Sequence, residues 1–343
     1  MSILDVSGGR VKVTTTIRQV AAAAGVSLAT ASRALSGSPA VVESTRKRVQ
    51  QAADDLDYNP SRLGRSLVTG STGNIGLIFP DISNPFYTQF LAELESVVAA
   101  RDIGILIGDA HEDSHREASL LRQMVTQVDS LVLVSSRMTD AQITAAAVRL
   151  PVVLANRRLA PGSIVPELLS QIVIDVEPGF SAAVDHLYAL GHRRLTYLDG
   201  PARSWSAREK RASLTRACAR LGVDLSIVPV EKPDFESGRQ VARHLDPNTT
   251  VVVAFNDQVA LGVLSTCRDR GIVVPVNMSV VGCDDSLPIG LAWPALTTID
   301  SSSRSLGALA AQAVLNPAVH RTGSVPTRLV VRESTGPARP SMV

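Results

Sequence analysis

Thr16 to Leu35, TIRQVAAAAGVSLATASRAL, constrains the fold of this chain more than any other stretch, because its middle admits one local solution. Gly25-Val26-Ser27 reads as a tight turn, where glycine accepts positive φ without steric cost. Ser27 offers its hydroxyl to the first turn of the helix that follows. Before the turn, Thr16 and Gln19 have the spacing of a capping box, and Ile17, Val20, Ala21 and Ala24 share one helical face. After it, Ala31, Ala34 and Leu35 turn inward, while Leu28, Ala29, Thr30 and Arg33 project outward. Two short helices joined in this way read as a helix-turn-helix, whose second helix has its N-terminal residues free to enter a DNA groove. An ordinary helical hairpin has the same pattern.

A third helix is predicted from about Glu43 to Leu56, with Val49, Ala52, Ala53 and Leu56 at helical spacing. Asn59-Pro60 then provides a cap and a proline at the first helical position, opening a short helix from Ser61 to Leu67. Two turns with Gly64 inside them are not stable alone and must fold against a partner chain or DNA. Between Arg10 and Gly70 stand nine Lys and Arg against four Asp and Glu, a net of +5. The whole chain is +2, so the remainder is near −3. A basic head on a mildly acidic body is the footprint of phosphate binding.

The 343 residues leave room for two or three domains, and 45% apolar content with only 3% aromatics points to an aliphatic core. No apolar run is long enough to span a membrane, and MSILDVSGGRVKVTTT is too polar for a signal peptide. Cys218, Cys267 and Cys283 are isolated and lack metal-ligand spacing, so a reduced cytoplasmic protein with no cofactor or metal is expected. Beyond residue 74, short aliphatic runs alternate with helical stretches. The runs are Ile75–Phe79, Gly104–Ile107, Leu131–Val134, Val152–Ala155, Ile172–Ile174, Leu195–Leu198, Ile227–Val230, Val251–Ala254 and Ser279–Val281. Such alternation predicts an α/β body of parallel sheets covered on both faces, with a ligand cleft at the carboxyl ends of the strands. GxGxxG, GxxxxGK[ST] and GxSxG are all absent, the histidines are scattered, and Asp257, Asp284 and Asp285 lack flanking metal ligands. These features argue against an enzyme. A periplasmic solute-binding protein would share the body but not the basic head.

Many motifs in register identify a wider pattern. They are the helix-turn-helix, Thr45-Arg46, Tyr58-Asn59-Pro60, Arg65-Ser66-Leu67, Pro80-Asp81-Ile82-Ser83-Asn84-Pro85-Phe86-Tyr87 and Gly191-His192-Arg193-Arg194. Further along stand Asn256-Asp257-Gln258-Val259-Ala260-Leu261-Gly262, Val281-Gly282-Cys283-Asp284-Asp285, Pro294-Ala295-Leu296-Thr297-Thr298-Ile299 and Val331-Arg332-Glu333-Ser334. From about residue 16 to 335 the chain resembles the lactose-repressor (LacI/GalR) family of transcription factors. The resemblance implies a helix-turn-helix domain at 14–59, a hinge helix and linker at 60–73, and a two-lobed, periplasmic-binding-protein-like effector and dimerisation domain at 74–337. Its lobes are expected at about 74–158 plus 286–322 and about 172–284 plus 328–337, with crossings near 158–172, 285–298 and 320–328. No heptad of leucines follows Thr335, so a homodimer is expected.

The implied mechanism is operator recognition under effector control. Arg33 is suited to guanine O6 and N7, and Leu28 and Ala29 to thymine methyls. Thr16, Thr30, Ser32 and Asn59 are assigned to phosphates. By resemblance, paired hinge helices wedge Leu67 into the minor groove at the centre of a pseudo-palindromic operator. Asp81, Asn84, Phe86, Trp205, Arg208, Asn256 and Asp284 stand near strand ends facing the cleft, and the family pattern adds Arg157 and Phe235. Such a mix suits a polyhydroxylated effector such as a sugar, nucleoside or cyclitol. Asp175, Asp257 and Asp285 have a structural reading as caps or ion-pair partners. The chain departs from the family pattern at Val42, Gln19, Val176, Ser213 and Ser303, so the effector does not transfer by analogy. Repression is the favoured sense. A regulator that answers to a protein partner instead of a small molecule stays open.

Overall fold

The computed structural model describes residues 15–58, 70–246, 248–317 and 322–339. The chain divides into two compact units, residues 1–72 and 73–343.

In the first unit, α1 (Ile17–Ala23), α2 (Leu28–Leu35) and α3 (Glu43–Asp55) enclose a small aliphatic core of Val20, Ala21, Ala24, Ala31, Ala34, Val41, Val49, Ala52 and Ala53. Small side chains let three short helices approach closely. Gly25 makes the predicted turn at φ +64°. Ser27 Oγ accepts from the Thr30 N–H at 3.1 Å and caps α2. Gln19 Oε1 accepts from the Thr16 N–H at 2.7 Å, making that half of the expected capping box. Val42 caps α3 with no side-chain bond. Instead, Arg46 Nη2 donates to the carbonyls of Ser38 (3.0 Å) and Val41 (3.3 Å), fastening the α2–α3 connection to α3. The proposed hinge helix, with Asn59 and Leu67, lies outside the described residues.

The second unit holds two sheets of six strands. The first is built from β1 (Asn74–Phe79), β2 (Gly104–Asp109), β3 (Ser130–Val134), β4 (Val152–Ala155), β5 (Leu169–Asp175) and β11 (Thr322–Pro326), in the order β11-β5-β4-β3-β1-β2. All its pairings are parallel. The second is built from β6 (Arg194–Asp199), β7 (Asp224–Pro229), β8 (Val251–Ala254), β9 (Ser279–Asp284), β10 (Thr297–Asp300) and β12 (Arg328–Val330), in the order β12-β10-β9-β8-β6-β7. Only β12 runs antiparallel to its neighbour. The central strands β3, β4, β8 and β9 are buried at every residue, which is why they read as unbroken aliphatic runs. Edge strands β2 and β7 are largely exposed.

Helices α4 (Pro85–Ala99), α5 (Ser114–Met124), α6 (Asp140–Ala147) and α11 (Ser303–Leu315) accompany the first sheet, and α7 (Glu177–Ala189), α8 (Trp205–Leu221), α9 (Phe235–Ala242) and α10 (Asp257–Asp269) the second. One apolar cluster runs from α4 and α11 in the first lobe to α7 and α8 in the second, so the lobes share a spine. Separate clusters fill the opposite face of each sheet.

The expected lobe crossings need correction. The chain leaves the first sheet after β5, not before it, and leaves the second after β10. β5 therefore belongs to the first lobe and β10 to the second. Hydrogen-bond ladders decide this: Val152 pairs with Leu169, and Thr297 with Val281. Aliphatic runs alone do not reveal which sheet a strand joins. The third passage lies between β11 and β12, at 326–328.

Candidate functional site

The carboxyl ends of the strands from both lobes converge on one cavity, of about 340 Å³. The first lobe contributes Asn84, Phe86, Tyr87, Ser135, Arg137 and Asn156, with Ile174 at the crossing. The second contributes Ser204, Ser206, Lys210, Phe255 and Asp284, with Ser301 at the β10–α11 crossing. Ser135 ends β3, Asn156 ends β4 and Asp284 ends β9, and all three have positive φ, at 48°, 55° and 111°. Such backbone is costly for residues other than glycine and gathers at ligand sites, where the surrounding structure holds it.

The charges of the cavity are arranged in pairs. Lys210 is buried on α8, its ammonium donating to the Phe255 carbonyl at 3.0 Å and to Asp284 Oδ1 at 3.3 Å. The same nitrogen lies 4.4 Å from the centre of the Phe255 ring. Burial works against a charge on Lys210, but the Asp284 carboxylate outweighs it and holds the ammonium above its ordinary range. Arg137 is buried in the first lobe and grips Glu112 through Nε (2.8 Å) and Nη2 (3.0 Å), a bidentate pair. His111 and Glu112 sit in consecutive left-handed conformations, so the β2–α5 loop is bent to deliver that carboxylate. Ser301 donates to Asp284 Oδ1 at 3.1 Å, tying a crossing segment to the ion pair. Asn156 Nδ2 donates to Ser135 Oγ at 2.9 Å, while its buried Oδ1 has no partner.

The lobes also touch directly. Gln89 of α4 donates to the Ser286 carbonyl at 3.1 Å and accepts from the Ser303 hydroxyl at 2.7 Å. Gln258 of α10 donates to the Ser83 carbonyl at 3.3 Å. Ser286 is itself held by Asp257, which accepts from its N–H at 2.9 Å and from the Thr298 hydroxyl at 2.6 Å. Burial pushes the Asp257 carboxyl up to about 7, with the nearby Asp284 charge adding to it. The structural reading of Asp257 thus fits its bonds, and Asp285 pairs with Arg332 at 2.7 Å.

Of the effector contacts expected from sequence, Asn84, Phe86 and Asp284 line the cavity. Asn84 also caps α4, accepting from the Phe86 N–H at 3.0 Å. The others are placed elsewhere. Asp81 braces a turn by accepting from the Ser83 N–H at 2.9 Å. Arg157 is buried against Asp140 (2.6 Å) and the Ser136 carbonyl (2.8 Å), fixing a loop of the first lobe. Asn256 caps α10 and donates to the Pro233 carbonyl at 2.8 Å. Trp205, Arg208 and Phe235 do not line the cavity, and Phe235 is 41% exposed. In α8 the inward positions are Ser206 and Lys210, four residues apart on one face, whereas Arg208 is exposed. That helical phase was the signal available for Lys210. Ser135, Arg137 and Asn156 each directly follow or lie just beyond an aliphatic strand, the same signal that picked out Asp284.

In the head, the N-terminal half of α2 presents an open face. Leu28 is 45% exposed, Ala29 and Arg33 are exposed, and Thr30 and Ser32 are half-buried. Thr16 is exposed at the start of α1, and Lys47 and Arg48 are exposed on α3.

A helix-turn-helix head joined to a two-lobed, parallel-sheet body defines a class of bacterial regulator, and comparison with known proteins narrows it. Residues 16–61 match the family of bacterial regulatory proteins, lacI family, and residues 184–335 match a periplasmic binding protein-like domain. The chain is 30% identical to the HTH-type transcriptional regulator GalR of Escherichia coli K12 over 312 residues, covering 89% of this chain and 90% of GalR. It is 31% identical to the HTH-type transcriptional repressor CytR of the same strain, covering 85% and 86%. The lac repressor dimer bound to operator and the anti-inducer ONPF matches with a TM-score of 0.82 at 25% identity, over 94% of this chain and 99% of that one. A complex of the transcriptional regulator CelR with cellobiose matches with a TM-score of 0.66 at 25% identity, over 93% and 99%. The chain belongs to the LacI family of DNA-binding transcription regulators. These relatives regulate transcription and are not enzymes. No helix among the described residues is long and apolar enough to cross a membrane.

Proposed function

We propose that this regulator is a cytoplasmic repressor that binds a pseudo-palindromic operator as a homodimer and is controlled by a sugar-like effector held between its lobes. The observation that carries the reading is the interlobe cavity, where buried polar groups on strained strand ends converge from both lobes. A ligand that bridges Asn156 and Asp284 favours the closed arrangement, and a shift between closed and open lobes is the two-state element an effector needs. The lac repressor dimer on its operator and CelR with cellobiose support the dimer and the sugar. In the head, Arg33, Leu28 and Ala29 would read bases, while Thr16, Thr30 and Ser32 would contact phosphates. Leu67 and Asn59 complete the proposed DNA contacts by resemblance alone.

Selection of binding sites from a random duplex pool, at two salt concentrations and with a panel of sugars, tests this. A two-fold symmetric site with salt-sensitive affinity that one sugar shifts is the expected result. A single half-site contradicts the dimer, and affinity that no sugar shifts turns the account towards a protein partner.

A further inference from the structure

The polar groups of the cavity are unevenly satisfied, and that imbalance selects a ligand chemistry. Both cations that line it are matched within their own lobe, Arg137 by Glu112 and Lys210 by Asp284, so neither opening nor closing the cleft frees a positive charge. What stays unmatched is accepting capacity. Asp284 Oδ1 already takes Lys210 and Ser301, while its second carboxylate oxygen accepts no hydrogen bond among the described residues. Asn156, 6% exposed, leaves its Oδ1 buried and unpartnered on the opposite lobe. Free hydroxyl donors close by, such as Ser206, can turn either way. A phosphate or carboxylate brings only acceptors at neutral pH and meets no free cation here, and Asp284 repels it. Hydroxyl groups answer both acceptors. The space, about 340 Å³, lies at the small end of ligand pockets, roughly 300–1,000 Å³, and fits one ring better than several.

We propose that the ligand of this cavity is an uncharged, polyhydroxylated, single-ring molecule, and that its phosphorylated and carboxylated counterparts are rejected. The inference rests on the cavity being the effector site. Its hydroxyls donate to Asp284 and to Asn156 across the cleft, so the two acceptors that define the specificity also draw the lobes together.

Titration calorimetry on the full chain tests the assignment, with glucose, galactose, ribose and myo-inositol as neutral probes. Glucose 6-phosphate, ribose 5-phosphate and glucuronate serve as anionic ones. At least one neutral probe should bind, with any matched anion at least about 100-fold weaker, the scale of leaving a charged group unpaired in a buried site. An anion that binds as tightly as its neutral parent, or a panel with no binder, overturns the proposal. Two variants invert the selectivity. Asp284→Asn frees Lys210, and Glu112→Gln frees Arg137 with little risk to folding because Glu112 is partly exposed. Each should gain about tenfold for an anionic probe. No gain in either contradicts the charge argument. Failure of the wider reading looks different: a neutral probe binds, but Asp284→Asn and Asn156→Ala leave its affinity unchanged.

Discussion

Lys210 illustrates how one residue serves both stability and function. Its ammonium and the Asp284 carboxylate are almost wholly enclosed, so each is tolerable only because the other is there. Lys210→Met should destabilise the body by about 3–5 kcal/mol, because it leaves a buried carboxylate unpaired. The double change Lys210→Met with Asp284→Leu should recover most of that loss in urea unfolding. Equal losses for single and double variants would contradict the coupling. His192 is a second buried group with a readable consequence. It bonds to the Thr250 and Ser279 hydroxyls and the Gly336 carbonyl, and burial lowers its pKa below the ordinary 6.5. The unfolded chain therefore takes up the proton first, and stability contributed here is full above pH 6.5 and declines as the pH falls below it. Replacing His192 with Gln should flatten that part of the stability profile, as read by unfolding midpoints between pH 7 and 5.5.

Elements show how much was legible before the structure. The helix-turn-helix was readable because a glycine turn, a serine cap and small core residues agree at every position from Thr16 to Leu35. Central strands were readable as aliphatic runs, but β10, β11 and β12 are short or edge strands whose pattern is weak, so both early lobe crossings were misplaced. At the cavity, position after a strand found Asn84 and Asp284, whereas Arg157 and Asn256 satisfy the same rule and serve as braces. Polar residues next to strand ends have two uses, and only bonding partners separate them. Packing between elements was not legible at all. A Cβ on Gly262 of α10 would lie 2.2 Å from the Phe235 carbonyl of α9, so helix against helix leaves no room there. Gly262→Ala should cost about 1–3 kcal/mol as overpacking, despite better helix propensity. A thermal midpoint equal to wild type would contradict this. On α2, Arg33→Ala should lose about 1–3 kcal/mol and relax preference at one base pair. An equal loss on every sequence would assign Arg33 to phosphate instead.

At the scale of the molecule, function requires that events in the cavity and events on DNA share a free energy. Crossing segments carry Ser301 onto Asp284 and Ser303 onto Gln89, so the ligand-facing carboxylate and the interlobe contacts are mechanically connected. A bound ligand that favours closure therefore biases the positions of both lobes at once. Linkage makes such coupling reciprocal: whatever factor the effector applies to operator affinity, operator must apply to effector affinity. The most direct test is to measure the dissociation constant of the neutral sugar that binds, once on free protein and once on the protein saturated with its selected operator. The account predicts that the two constants differ, and by the same factor as operator affinity changes when the sugar is added. Identical constants in the two states would contradict it, leaving a cavity that binds sugar without governing DNA.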